Sequence, residues 1–307
     1  MCIRDSLGSI LANTSQQSQI REKDWIQRGL QLLSHRGPDA DGWTADEAVC
    51  LGSRRLRIHD LSDKADQPLE CRDGRFVVVF NGAIFNYLEL RKQLISQGYH
   101  FQTSCDTEVV LYALVEWGAD ALNRFDGMYA IAWYDRTSRH LIIARDKLGI
   151  KPLYFHQNSS FTLFASEIKP LLAHPKIERR LNTSVVPEFL AYQFVSPPDT
   201  MFEGIQILPP GHMMSFNLKN SYRDKEISCY WQLDGAKLYD PSAPSVEEAL
   251  DTSIKRAWDA DRNSGIQLSG GVDSSLITAI SHDSFGMSNI NTYSVIFDDS
   301  KIRYYQP

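Results

Sequence analysis

The stretch FVVVFNGAIFN spans residues 76–86. Its first five residues are all large and apolar, and three of them are β-branched. No face is left for water, so the run suits a strand buried on both sides, inside a layered structure. The Asn81-Gly82 pair that follows has two readings. It is a common hairpin turn, and it is also an amide side chain next to a backbone N–H, the two donor types of an oxyanion hole.

Working outward, Cys50-Leu51 and Arg75–Phe80 read as strands. Met128–Tyr134 with His140–Ala144, and Leu153–Phe155 with Phe161–Ala165, read as hairpins. Apolar spacing predicts helices from Trp25 to Ser34, Asn86 to Gln97 and Thr107 to Trp117. Asn86 is the start signal of the second, and Gly98 its stop. Many strands with helices inserted indicate sheets stacked between helical layers. Composition changes around Tyr239–Ser245. Ser245-Val-Glu-Glu248 is a capping box that opens an amphipathic helix, and the strand Gly265–Leu268 leads into a glycine turn and another helix. The chain is therefore read as two domains, 7–240 and 241–307, the second beginning an open α/β sheet.

The 307 residues are 43% apolar and 23% charged, with a formal net charge of −6. No basic run suggests a nucleic-acid or anionic-membrane partner, and no segment approaches the length of a membrane span. Cys2, Cys50, Cys71, Cys105 and Cys229 are odd in number and lack CxxC spacing. They fit reduced thiols in a cytoplasmic protein.

LSGGVDSS, Leu268–Ser275, is a phosphate loop. Gly270 and Gly271 tolerate positive φ and can turn successive N–H groups inward. Ser269, Ser274 and Ser275 flank them at a helix N-terminus, where anions are favoured. Asp273 can hold a Mg²⁺ ion on the phosphates. The lysine of the Walker loop is absent.

With HRGPD (35–39), RRLRIHD (54–60), QPL (67–69), FNGAIFN (80–86), SCDTEV (104–109), RDKLGIKPLY (145–154), SEIKPLL (166–172) and LPPGH (208–212) in this order before the loop, the chain resembles the glutamine-hydrolysing asparagine synthetases. The resemblance implies an α+β fold: an N-terminal-nucleophile αββα sandwich, then the opening of a Rossmann-like pyrophosphatase domain. It assigns Arg55 to the glutamine α-carboxylate, gripped through a bidentate fork, and Asp106 to the α-ammonium. It assigns Asn81 and Gly82 to the oxyanion hole. Ser269, Gly270, Gly271, Asp273, Ser274 and Ser275 fall to ATP, and Leu268 and Val295 to positions beside its adenosine. ATP and Mg²⁺ are the implied cofactors, glutamine and aspartate the implied substrates, and a homodimer an assembly it allows. Where the family has NGE this chain has Asn81-Gly82-Ala83, which lacks one carboxylate near the substrate amine.

Cys2 is the nominal nucleophile. Leu7–Leu11 fits the family's first strand, and in that register the nucleophile falls at Arg4. MCIRDS also reads back in DNA as a transposon end used in sequencing-library preparation. Residues 1–6 are thus expected to be a scar, and the chain as written to lack glutaminase activity. Residues 241–307 are expected to hold too little of their sheet to support ATP chemistry. Two alternatives stay open: another carboxylate acceptor, or an inactive glutamine-binding fragment.

Overall fold

The structure, a computed structural model, describes residues 4–11, 16–219, 225–233, 243–284, 286 and 290–295. The chain divides into two compact units, Met1–Asp234 and Gly235–Pro307.

The first unit opens with β1 (Arg4–Leu11), α1 (Gln16–Leu32), β2 (Ala40–Ala45), β3 (Val49–Arg55), β4 (Leu69–Glu70) and β5 (Phe76–Ile84). Helices α2 (Tyr87–Ser96), α3 (Asp106–Trp117) and α4 (Ala121–Arg124) lead to β6 (Gly127–Asp135), β7 (His140–Arg145), β8 (Tyr154–Gln157) and β9 (Phe161–Ala165). After α5 (Ile168–Leu172) and α6 (Val186–Tyr192) come β10 (Ile205–Ile207), β11 (His212–Asn217) and β12 (Lys225–Cys229). One sheet has the order β10-β8-β9-β1-β3-β2 and the other β12-β11-β7-β6-β5-β4. Every pairing in both is antiparallel.

Alternation along β5 accounts for the layers. Val77 and Val79 enter an apolar layer between the sheets with Ile10, Leu51, Ile143 and Phe164. Val78, Phe80 and Ile84 point the other way, beneath Leu90, Leu94, Val110 and Leu114 of α2 and α3. On the far side Leu7, Cys50 and Leu163 meet Trp25, Ile26 and Leu30 of α1. The result is the αββα order, and each such fully buried side chain contributes about 1.5–3 kcal/mol.

Several features differ from the sequence expectation, among them α1, which begins at Gln16 rather than Trp25. Strand β1 begins at Arg4 rather than Leu7, with Arg4 opposite Arg55 and Ser6 opposite Ser53. Asn86 precedes α2 but makes no side-chain cap. Its amide instead donates to Arg124 O and accepts from Asp126 N–H, pinning the helix start to the loop before β6. RDKLGIKPLY is a structural knot: the buried Asp146 carboxylate accepts from the backbone N–H groups of Tyr129, Leu148, Ile150 and Lys151. Arg145 donates to the carbonyls of Lys151, Leu208 and Gly149.

In the second unit the capping box forms, Ser245 Oγ accepting from Glu248 N–H and Glu248 from Ser245 N–H, at the start of α7 (Val246–Ala257). Strands β13 (Gly265–Gln267) and β14 (Asn291–Tyr293) are parallel, with α8 (Val272–Asp283) between them in sequence. Val272, Tyr293 and Val295 are exposed.

Replacing Asp146 by Ala strands four backbone donors. We expect a loss of about 3 kcal/mol or more in the urea unfolding free energy of the first unit, and a smaller loss for Asp146→Asn. Equal stability of Asp146→Ala and wild type would contradict the knot.

Candidate active site

Strand β3 delivers Arg55 into the interior, 1% exposed. Its terminal nitrogens are held by the loop that follows: Nη1 donates to Ser62 O at 3.0 Å and Asp66 Oδ1 at 2.6 Å, and Nη2 to His59 O at 2.9 Å and Asp60 O at 2.6 Å. Of the five donors, Nε–H is buried without a partner among the described residues.

The same loop reaches the start of α3. Asp60, at positive φ, accepts Ser104 N–H at 2.9 Å. Gln67 bonds both backbone groups of Phe80 and also Thr107 Oγ1, joining the loop to β5 and α3. Asp106 opens α3, is buried, and accepts Ile84 N–H from the end of β5 at 3.2 Å. Phe80 and Ile84 thus donate away from β6, and strand alternation directs Gly82 N–H to that same edge, between them. Gly82 is also required sterically, since a Cβ there would stand 2.1 Å from Met128 O. Asn81 is fully buried, and its Nδ2 donates to Ser166 Oγ at 3.2 Å. That hydroxyl accepts Ser6 N–H of β1 at 3.1 Å. Ala83 lies on the same face of β5 as Asn81.

Hydrogen bonds and the short backbone stretches between them link β1 through Ser166 to Asn81, Ile84 of the same strand to Asp106, Ser104 just before it to Asp60, and Asp60 O to Arg55, which pairs with β1. Arg55, Asn81, Gly82 and Asp106 are brought together. Cys2 lies outside the described residues, while the backbone of Arg4 stands beside Arg55. Sequence reasoning assigned no role to Asp60, Asp66, Gln67 or Ser166, whose work is second in line and leaves no spacing signal. HRGPD is drawn in separately, His35 and Arg36 meeting Glu167.

In the phosphate loop Gly270 takes φ +81°, but Gly271 does not, because it sits at φ −75° as the N-cap of α8. Ser269 Oγ accepts Gly271 N–H, and Ser274 Oγ donates to Gly271 O, folding the loop on itself. A Cβ at Gly270 would meet nothing within 4 Å, so the space above it is open. Beside the loop lies a cleft of about 520 Å³, lined by Leu268, Ser275, Thr278, Ala279, His282 and Thr292 among others. Val295 does not line it. Asp273 is exposed in the first turn of α8. The described residues hold no group of three or more His, Cys, Asp or Glu that could bind a metal. No described helix is long and apolar enough to cross a membrane.

Residues 7–231 match the family model of the glutamine amidotransferase domain. The chain belongs to the glutamine amidotransferase family. Beyond this amidotransferase domain, residues 245–306 match the asparagine synthase model. Asparagine synthetase [glutamine-hydrolyzing] 3 of Bacillus subtilis is 32% identical over 94% of the chain and 47% of its own length. A putative asparagine synthetase [glutamine-hydrolyzing] of Methanocaldococcus jannaschii is 29% identical over 90% of the chain and 57% of its own. The chain thus spans about half the length of the curated relatives it matches. Among solved structures, the glutamine phosphoribosylpyrophosphate amidotransferase of B. subtilis is similar at TM-score 0.53 and 18% identity. The similarity covers 75% of this chain and 50% of that one, and it shows the N-terminal-nucleophile fold.

Burial alone would raise the Asp66 carboxyl, but hydrogen bonds and charge from Arg57 and Arg55 outweigh it and hold its pKa below the usual carboxylate range. A depressed folded-state pKa gives stability that is fully present above about pH 4 and lost as pH falls through the folded value. Acid unfolding followed by circular dichroism should therefore show a shallower loss of stability below about pH 4 in Asp66→Asn than in wild type. Identical profiles would exclude this carboxylate as a contributor.

Proposed function

We propose that this chain is part of a glutamine-dependent asparagine synthetase. In the whole enzyme, with a cysteine in the register that Arg4 holds here, the amidotransferase unit would hydrolyse glutamine to glutamate and ammonia. The second unit takes part in ATP-dependent adenylation of aspartate, which ammonia then converts to asparagine with release of AMP and pyrophosphate. The observation that supports this reading is the set of hydrogen bonds that ties the strands and loop bearing Arg55, Asn81, Gly82 and Asp106 to one another near the start of β1.

Glutamine would enter with its α-carboxylate against Arg55, where the Nε–H is available, and its α-ammonium at Asp106. In the restored register a cysteine at the start of β1, its thiol proton taken by its own α-amine, would attack the side-chain carbonyl as a thiolate. The oxygen that becomes negative is met by Gly82 N–H and by Asn81 Nδ2, which exchanges its bond to Ser166. The C–N bond would then break, the leaving nitrogen taking back as ammonia the proton held on that α-ammonium, and water would hydrolyse the thioester to glutamate and free the thiol.

The phosphate loop suits a polyphosphate: an open glycine at positive φ, a helix N-terminus and a cleft within the ordinary size of ligand sites. Bound Mg²⁺–ATP would supply the activated phosphorus for adenylation. Asp273 is the one carboxylate of the loop and would share the ion with phosphate oxygens, as is usual for Mg²⁺. Ser269, Gly270, Gly271, Ser274 and Ser275 would face the phosphates, and Leu268 the adenosine.

A second proposal concerns activity. Because Arg4 occupies the backbone position beside Arg55, we propose that the chain as written binds glutamine without turning it over. Replacing residues 1–6 by Met-Cys-Gly-Ile should produce glutamate release measurable by coupled dehydrogenase assay, at least 100-fold above the unmodified chain, given the steep dependence of covalent catalysis on reactant placement. Equal rates would sink the register argument. No release from either protein would count against glutaminase chemistry altogether.

A further inference from the structure

Asp66 sits between two guanidiniums. Arg55 Nη1 donates to its Oδ1 at 2.6 Å. Arg57 takes it in a fork, Nε to Oδ1 at 3.1 Å and Nη2 to Oδ2 at 2.5 Å. Arg55 is 1% exposed at its side chain, whereas Arg57 and Asp66 are each 26% exposed. A buried arginine paired with one carboxylate forms a neutral unit with little attraction for an incoming anion. Here one carboxylate is shared by two cations, and the cluster keeps a net charge of +1. Asp39 Oδ2 accepts the Arg57 backbone N–H, and Asp63 lies near enough to act on Arg57, so negative charge gathers on this side of the loop. A second guanidinium is the more needed for that.

Because the Nη groups of Arg55 are committed to the loop, recognition of a substrate carboxylate depends on long-range charge more than on a two-pronged grip. We infer that Arg57 is a positioning residue that acts through Asp66, keeping Arg55 electrostatically free to attract the α-carboxylate of glutamine. The inference rests on glutamine being the substrate.

The test is calorimetric titration of the whole chain with L-glutamine. Arg57→Gln should weaken binding by on the order of tenfold, as removal of one nearby unit charge at an effective dielectric constant near 20 implies. Arg57→Lys should recover part of it. The double variant Arg57→Gln/Asp66→Asn should bind like wild type, because Arg55 is again unopposed; a purely structural role for Arg57 predicts that losing both partners makes binding worse. Thermal melts identify a variant that fails to fold, and the Lys variant and the double variant then still decide. Unchanged affinity in Arg57→Gln, or a double variant as weak as the single one, overturns the inference while leaving the glutamine site standing. Absence of glutamine binding by the wild-type chain removes the site and the inference together.

Discussion

Val77 and Val79 point into the layer between the two sheets, and Val78 and Phe80 into the layer under α2 and α3. A strand covered on both faces has only its edges left for polar chemistry. Beyond the two-residue β4, the edge of β5 away from β6 has no strand partner among the described residues. There Gln67 and Asp106 take the N–H groups of Phe80 and Ile84, and Gly82 N–H emerges between them. The candidate site lies along that edge of a strand that is buried from Val77 to Ile84.

The two anchors of that edge also fix the rest of the site. Gln67 carries the loop that wraps Arg55, and Asp106 begins the helix that covers β5. The loop is tied at both ends, to Arg55 through three carbonyls and Asp66 and to the α3 turn through Asp60. Preorganisation of this kind lets buried charges act in a low dielectric without rearrangement during reaction. Under the proposed reading Arg55 is shared between structure and recognition, and its neighbours decide how much of its charge a substrate meets.

Much of this was legible in the residues themselves. The FVVVF run revealed double burial, the hairpins after Met128 and Leu153 were marked by polar turns, and Ser245 with Glu248 declared a helix start. Motif order singled out Arg55, Asn81, Gly82 and Asp106, and Arg55, Asn81 and Asp106 are buried in the first unit; their roles remain the proposal made above. What stayed hidden had other causes. Strand β2, with Gly42 and Trp43 among polar residues, has no regular alternation, and β11 and β12 lie at the end of a sheet where half of each strand is polar. Asn86 looked like a cap because Asn usually is one, yet a long-range pair of backbone groups on Arg124 and Asp126 competed for its amide. Gly271 looked free to take positive φ, but one left-handed residue completes the turn and the next must enter α8. The family order around RDKLGIKPLY marked importance without saying that Asp146 serves the backbone.

The central claim is that the elements tied together along the edge of β5 receive both ends of glutamine. A crystal structure of the chain soaked with L-glutamine tests it most directly. The account predicts the α-ammonium within hydrogen-bond distance of Asp106, the α-carboxylate against Arg55 Nε, and the side-chain carbonyl oxygen facing Gly82 N–H. Glutamine bound elsewhere, or bound here with Asp106 and Arg55 out of reach of its two charged groups, would contradict it.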